Sequence, residues 1–345
     1  MNEPQLERLL ADARRHLDER DRPKKALQVL EQAPPELAGR PEVLALRGHV
    51  LLALGRDEEA RQALEAAAAA NPPSLEALLE LGWWDLDEEE PEGARDVAQR
   101  ALALLPAGDK AREEAHGLLV EALLDLGDRQ AARAAIDEHE REHGGEHPAV
   151  LLGKGRLLFH EGRFEDALPV IQAARQKAPA ALAWWWEGVA LERAGRLPAA
   201  DQAYREAHRL DPATHQPVRI SDEKFDRIIE ETLAGLPEDI QAEVQETCAV
   251  TREDFPHPAR VREDGVDPFL LGECVGTSEG TRRREHAGYQ ALDQGLTEVL
   301  VYRRNLERIC RDRRELEEEI RTTLLHELGH ALGLDEEGVA ALGLE

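Results

Sequence analysis

A chain of 345 residues, 42% apolar and 33% charged, is long enough for two domains with separate cores and has the balance of an ordinary soluble protein. Its formal net charge of −28 argues against nucleic acid or anionic membrane as a partner, because phosphate recognition needs clustered Lys and Arg, and it favours basic or neutral proteins. The first residues carry no basic and apolar leader, no stretch approaches 18 uncharged apolar residues, and Cys248, Cys274 and Cys310 suit neither a disulfide framework nor a Cys-based zinc site, so the expected location is the cytoplasm.

Residues 1–212 read as helix pairs with a period near 34. One unit runs Leu44, Gly48, Leu51, Gly55, Ala60, Leu64, Ala67, Pro72, and the next repeats its frame with Leu78, Gly82, Ala94, Ala98, Ala101, Pro106. Later units run Leu151, Gly155, Leu158, Gly162, Ala167, Ile171, Ala174, Pro179 and then Trp184, Gly188, Leu191, Gly195, Ala200, Tyr204, Ala207, Pro212. Small residues let two helices of a hairpin approach closely, the mid-unit glycine permits the turn, and the late proline ends the second helix. The unit around Val120, Leu123, Gly127, Ala132 and Ile136 keeps only its second half, and the N-terminal unit keeps little beyond Ala26 and Leu30. About six units are expected, and the pattern resembles the tetratricopeptide repeat. The tryptophans at 83–84 and 184–186 are expected to pack within or between repeats, with a peptide-contacting groove as the alternative.

Residues 213–220 follow Pro212, contain Pro217, have no helical period and read as a linker. Ser221 then caps an amphipathic helix with Phe225, Ile228, Ile229 and Leu233 on one face, followed by a helix over about 238–247. Short strands are expected at 249–251, around 269–272 and at 298–302, which makes residues 221–345 an α+β domain expected to fold by itself.

Asp312 to Glu315 match a capping box, after which Leu316, Ile320, Leu324, Leu328 and Ala331 form an apolar stripe at helical spacing. His326 and His330 fall together on a neighbouring face, four residues apart, in the sequence His326-Glu327-Leu328-Gly329-His330. Two neutral imidazoles so placed can share a zinc ion, and the glutamate between them can act as general base on the water that zinc activates. Gly333 is expected to end the helix in a left-handed conformation that returns Asp335 or Glu336 to the metal. The offset of three residues after the glycine, as in metzincin-type motifs, favours Glu336 over Asp335. Tyr302 is a candidate oxyanion stabiliser, with sheet packing as the competing role, and His286 reads as a loop histidine.

The segment 299–308 followed by Arg321 to His330, together with Phe225 to Ile229, Leu271 to Glu273 and the acidic end Leu334 to Glu337, resembles a bacterial family of small, acidic, minimal zincin metallopeptidases. The resemblance implies one Zn²⁺ per chain and a hydrolase of peptide bonds. The whole chain is thus expected to be multidomain: an all-α tetratricopeptide-repeat solenoid over 1–212, a linker over 213–220 and a small α+β minimal zincin domain over 221–345. The repeats would recruit a protein or peptide. The alternative is a non-catalytic scaffold carrying a zinc-binding domain without peptidase activity.

Overall fold

The computed structural model describes residues 3–19, 22–275 and 297–334. Its elements begin with helices α1 (Glu3–Arg14), α2 (Pro23–Glu31) and the single turn α3 (Pro35–Ala38). Five helix pairs come next: α4 (Pro41–Leu52) with α5 (Asp57–Ala68), α6 (Leu75–Asp87) with α7 (Pro91–Leu104), α8 (Arg112–Asp125) with α9 (Arg129–His143), α10 (Pro148–His160) with α11 (Phe164–Lys177), and α12 (Ala181–Arg193) with α13 (Leu197–Leu210).

The repeated small residues do the packing that their spacing implies. Ala60, Ala94, Ala132, Ala167 and Ala200 have no exposed surface. A Cβ added at Gly48 would stand 2.5 Å from Leu64, one at Gly155 2.5 Å from Ile171, and one at Gly188 2.8 Å from Tyr204, always sixteen residues on. Hydrogen in place of a methyl is what lets the two helices close in these three pairs.

The turn inside each pair needs a left-handed residue. Gly55, Gly127, Gly162 and Gly195 supply it with φ between 66° and 70°, whereas the α6–α7 turn places Glu89 there at φ 59°. A side chain in this region costs about 1–2 kcal/mol. Glu89→Gly is therefore expected to stabilise the protein by about 0.5–1 kcal/mol, read as a higher urea midpoint at unchanged m-value.

The chain divides into two compact units, residues 1–153 and 154–345. The second contains the last repeats and the elements beyond them: α14 (Asp222–Ala234), α15 (Glu238–Thr247), β1 (Cys248–Glu253), a π-helical turn at Arg260–Asp264, β2 (Gly272–Val275), β3 (Thr297–Tyr302), α16 (Arg303–Ile309) and α17 (Arg313–Ala331). The sheet order is β1-β3-β2, with β3 parallel to β1 and antiparallel to β2. As the central strand, β3 buries both faces: Val299 and Val301 join Phe225, Ile228, Leu306, Leu316, Ile320, Leu324 and Leu328, while Leu300 and Tyr302 pack with Val275 and Leu270.

Segment 213–220 is fastened rather than loose. Val218 N–H donates to the Glu307 carbonyl at 2.7 Å, and a ring nitrogen of His215 lies 2.9 Å from that of Arg308. The fully buried Glu307 carboxylate accepts from Arg303 Nε at 2.9 Å, Arg304 Nη1 at 2.7 Å, Arg219 Nη1 at 2.9 Å and Ile220 N–H at 3.3 Å. Arg219 also pairs with buried Glu192 of α12 at 2.5 Å and with Asp201 of α13 at 2.9 Å. Beside them, Phe269 stacks on Phe159 at 5.4 Å and meets the ring of buried Trp186 edge-on at 5.7 Å. The change from repeat to non-repeat sequence at residue 212 thus falls inside a compact unit, because charge pairing and ring packing cross it. A fragment 221–345 loses Arg219, Trp186 and Phe159, and leaving a buried carboxylate short of a partner costs about 3–5 kcal/mol. We expect 154–345 to melt cooperatively by circular dichroism and 221–345 to be unfolded or insoluble.

Candidate functional site

The site stands on α17, a 19-residue helix whose start and face are both set locally. Asp312 caps it, its Oδ1 accepting from Arg314 N–H at 2.7 Å and Glu315 N–H at 3.0 Å. Leu316, Ile320, Leu324 and Leu328 bury the stripe. The helix ends at Ala331, and Gly333 has φ 88°, the left-handed reversal expected of it.

His326 and His330 come together as their spacing implies. Their Nε2 atoms are 3.1 Å apart and the rings meet edge-to-face with centroids at 4.7 Å. Nδ1 of His330 lies 3.1 Å from the Leu334 carbonyl, which fixes the ring and leaves Nε2 as the outward nitrogen. Tetrahedral zinc with bonds of about 2.0–2.1 Å sets its nitrogen ligands about 3.3 Å apart, so the pair fits the ion with small adjustment. The negative end of the α17 dipole adds a further attraction for a cation in this last turn. Asp335 and Glu336 lie outside the described residues, as does His286.

Glu327 is half-buried, with its Cγ packed close to Gly272 of the edge strand β2. Burial holds its carboxyl above the ordinary range; the two imidazoles pull it down, Glu273 pushes it up, and a hydrogen bond with the Cys274 backbone pulls it down again. The same proximity works on Cys274, whose thiol is pushed up to about 11 by burial first and by the charge of Glu327 second.

Tyr302, the candidate oxyanion stabiliser, has the surroundings of its competing role in sheet packing. The ring is 1% exposed in the sheet core, and its hydroxyl donates to Glu273 Oε2 at 3.0 Å. Glu273 is gripped through both oxygens by Arg260 as well. The phenol is thus part of a packed Arg260–Glu273–Tyr302 cluster, which suits a central strand better than an open site.

Sequence reasoning missed the part played by β2. A Cβ at Gly272 would stand 2.6 Å from Thr323 Cγ2, 2.9 Å from Glu327 Cγ and 3.2 Å from the Leu300 carbonyl. Only glycine allows α17 to lie this close to the sheet, and Cys274 can reach Glu327 because it does. The Leu271-Gly272-Glu273 sequence was a signal of likeness, without a physical reason attached.

Residues 245–344 match the zincin-like metallopeptidase family, and residues 41–84, 118–181 and 161–213 match tetratricopeptide repeats. The chain joins tetratricopeptide repeats to a zincin-like domain. No curated protein matches it. Similar solved structures include a tetratricopeptide-repeat protein of Parabacteroides merdae (15% identity, 67% of this chain and 85% of that one, TM-score 0.49). Others are pilF of Pseudomonas aeruginosa (16%, 61% and 93%, 0.46) and a tetratricopeptide-repeat protein of Thermus thermophilus (21%, 50% and 92%, 0.42).

In this repeat–zincin fusion, Gly272→Ala should push α17 off the sheet. Overpacking of this kind costs about 1–3 kcal/mol, so a lower melting temperature and a loosened Glu327–Cys274 contact are expected. Adding Thr323→Ser, which removes the clashing Cγ2, should return much of both, and the double-mutant cycle measures that coupling.

Proposed function

We propose that the zincin-like domain is a zinc-dependent peptidase and that the repeats bring it a protein substrate or partner. The observation that carries this reading is the convergence of two imidazole nitrogens to 3.1 Å on one helix face with a half-buried glutamate between them in sequence. In this reading His326, His330 and Glu336, with Asp335 as the alternative, hold one Zn²⁺ per chain. Bound there, the ion would polarise a scissile carbonyl and acidify water.

Glu327 then moves the proton. A carboxylate whose proton affinity is raised by burial accepts a proton from the attacking water more readily and afterwards delivers it to the leaving amine. The Cys274 backbone hydrogen bond fixes where that carboxylate points. The net charge of −28 favours basic or neutral protein segments as substrates and partners, and three free thiols suit a cytoplasmic setting. No helix among the described residues is long and apolar enough to cross a membrane.

Metal analysis and peptide-library cleavage by the full chain test the proposal. Glu327→Gln preserves shape without basicity, so it should keep its zinc and lose about 10²–10⁴-fold in cleavage rate. Zinc binding without cleavage by the unaltered chain would leave the scaffold reading standing; equal cleavage by both proteins would remove Glu327 as the base. Chelator competition should show a larger loss of zinc affinity in Glu336→Ala than in Asp335→Ala, and the reverse order would transfer the ligand role to Asp335.

A further inference from the structure

Four histidines gather inside the first compact unit, whereas His326 and His330 belong to the second. His116 comes from α8, His139 and His143 from successive turns of α9, and His147 from the turn just after α9. His116 and His139 stack nearly parallel at 4.8 Å, His139 meets His143 at 4.9 Å and His147 at 5.7 Å, and His143 meets His147 at 5.1 Å. The sequence carries the signal as histidines at 139, 143 and 147, each four residues after the last.

Packing alone accounts poorly for this cluster. His116 has no exposed surface, yet neither of its ring nitrogens has a hydrogen-bond partner. His139 Nε2, His143 Nε2 and His147 Nδ1 are buried without one as well. Burying an imidazole nitrogen unpaired is costly, and native interiors ordinarily avoid it. Five such nitrogens in one place ask for something that would satisfy them.

Carboxylates face the cluster from the same helix pair. Oε2 of Glu142 lies 3.6 Å from His116 Nε2 and 3.8 Å from His143 Nε2, too far for hydrogen bonds to either. Ligand atoms of His116, Glu138 and Glu142 all lie within 4.8 Å of one another, and this is the one such trio among the described residues. Glu113 stands 3.9 Å from His147 Nε2. Arg112 holds Glu142 through two hydrogen bonds of 2.7 and 2.8 Å and lies 3.6 Å from Glu138. It fixes the carboxylate in place and leaves that group able to accept a second cation, as a carboxylate with several lone pairs can.

We propose that the α8–α9 hairpin holds a second divalent metal site, with His116, Glu142 and Glu138 as ligands and His143 as a further donor. Imidazole with carboxylate selects borderline ions such as Zn²⁺, Co²⁺ or Ni²⁺ over Ca²⁺ or Mg²⁺. Bonds of about 2.0–2.1 Å set ligand atoms about 3.3 Å apart, so the two imidazole–carboxylate gaps must shorten by a few tenths of an ångström, while the exposed Glu138 has room to swing in. A ligated ion would clip α8 to α9 in the repeat whose first half has lost its pattern. It would thereby make the rigidity of the recruiting array depend on metal.

The test uses the full chain with His326→Ala and His330→Ala, titrated with Zn²⁺ and with Co²⁺ by calorimetry and followed by thermal melting. One equivalent should bind and raise the melting temperature. His143→Gln and the exposed Glu138→Gln, neither of which threatens the core, should each weaken binding by tenfold or more, and His116→Gln should abolish it. If the starting double variant fails to fold, metal analysis of the otherwise unaltered chain replaces it: Glu138→Gln should lose one equivalent and keep any other. No binding, binding indifferent to all three substitutions, or equal affinity for Mg²⁺ as expected of a merely acidic surface, would overturn the proposal. None of these outcomes depends on whether the zincin-like domain cleaves peptides.

Discussion

The Glu307 carboxylate has no contact with water, and the second half of the molecule is arranged around keeping its charge satisfied. Taking an ion of this size out of water costs several kcal/mol unless its oxygens are paired and hydrogen-bonded. Here each oxygen has two donors. Arg303 and Ile220 serve Oε1, and Arg304 and Arg219 serve Oε2. Two donors come from Glu307's own helix and two from a stretch nearly ninety residues earlier, so the carboxylate can be satisfied only when those parts of the chain have met. Arg219 extends the pairing to Glu192 and Asp201 on the last repeat helices. A charge network of this kind contributes little net stability by itself, but it punishes every arrangement in which one member is missing.

This network secures the place of α16 and, through the short connection at residues 310–312, the start of α17. The helix then runs along the sheet with its leucine and isoleucine stripe against β3 and carries the two histidines to its far end. Gly272 sets how closely it can lie, and that closeness brings the Cys274 backbone to Glu327. Thus a carboxylate that touches no candidate ligand, and a glycine with no side chain at all, decide the geometry in which Glu327 and the histidines are presented.

The repeats were legible because their requirements are local and recur. A glycine facing a large residue sixteen positions on, an alanine with no surface and a left-handed turn residue are each dictated by how two adjacent helices close, so the same letters recur along the array. Where the letters fail, the fold holds by other means. Glu89 adopts the conformation that glycine adopts elsewhere, and the α8–α9 pair keeps its place although its first half departs from the pattern. The histidine pair was legible for the same reason: four residues along a helix bring two side chains to one face whatever surrounds them. The Arg260–Glu273–Tyr302 cluster was not, since its members lie on three separate elements and no periodicity connects them.

By itself the sequence determined the helical repeats, the α+β character of the C-terminal region, the reach and face of the last helix, and the two imidazoles on it, because each depends on neighbours within a few residues or one period. Only the tertiary structure decided that the last repeats and the zincin-like region form one compact unit, that Tyr302 is spoken for, that Gly272 governs the approach of α17, and that four histidines meet between α8 and α9. Those outcomes depend on which side chains come together after the chain has crossed tens of residues, and spacing along the chain carries no record of such a meeting.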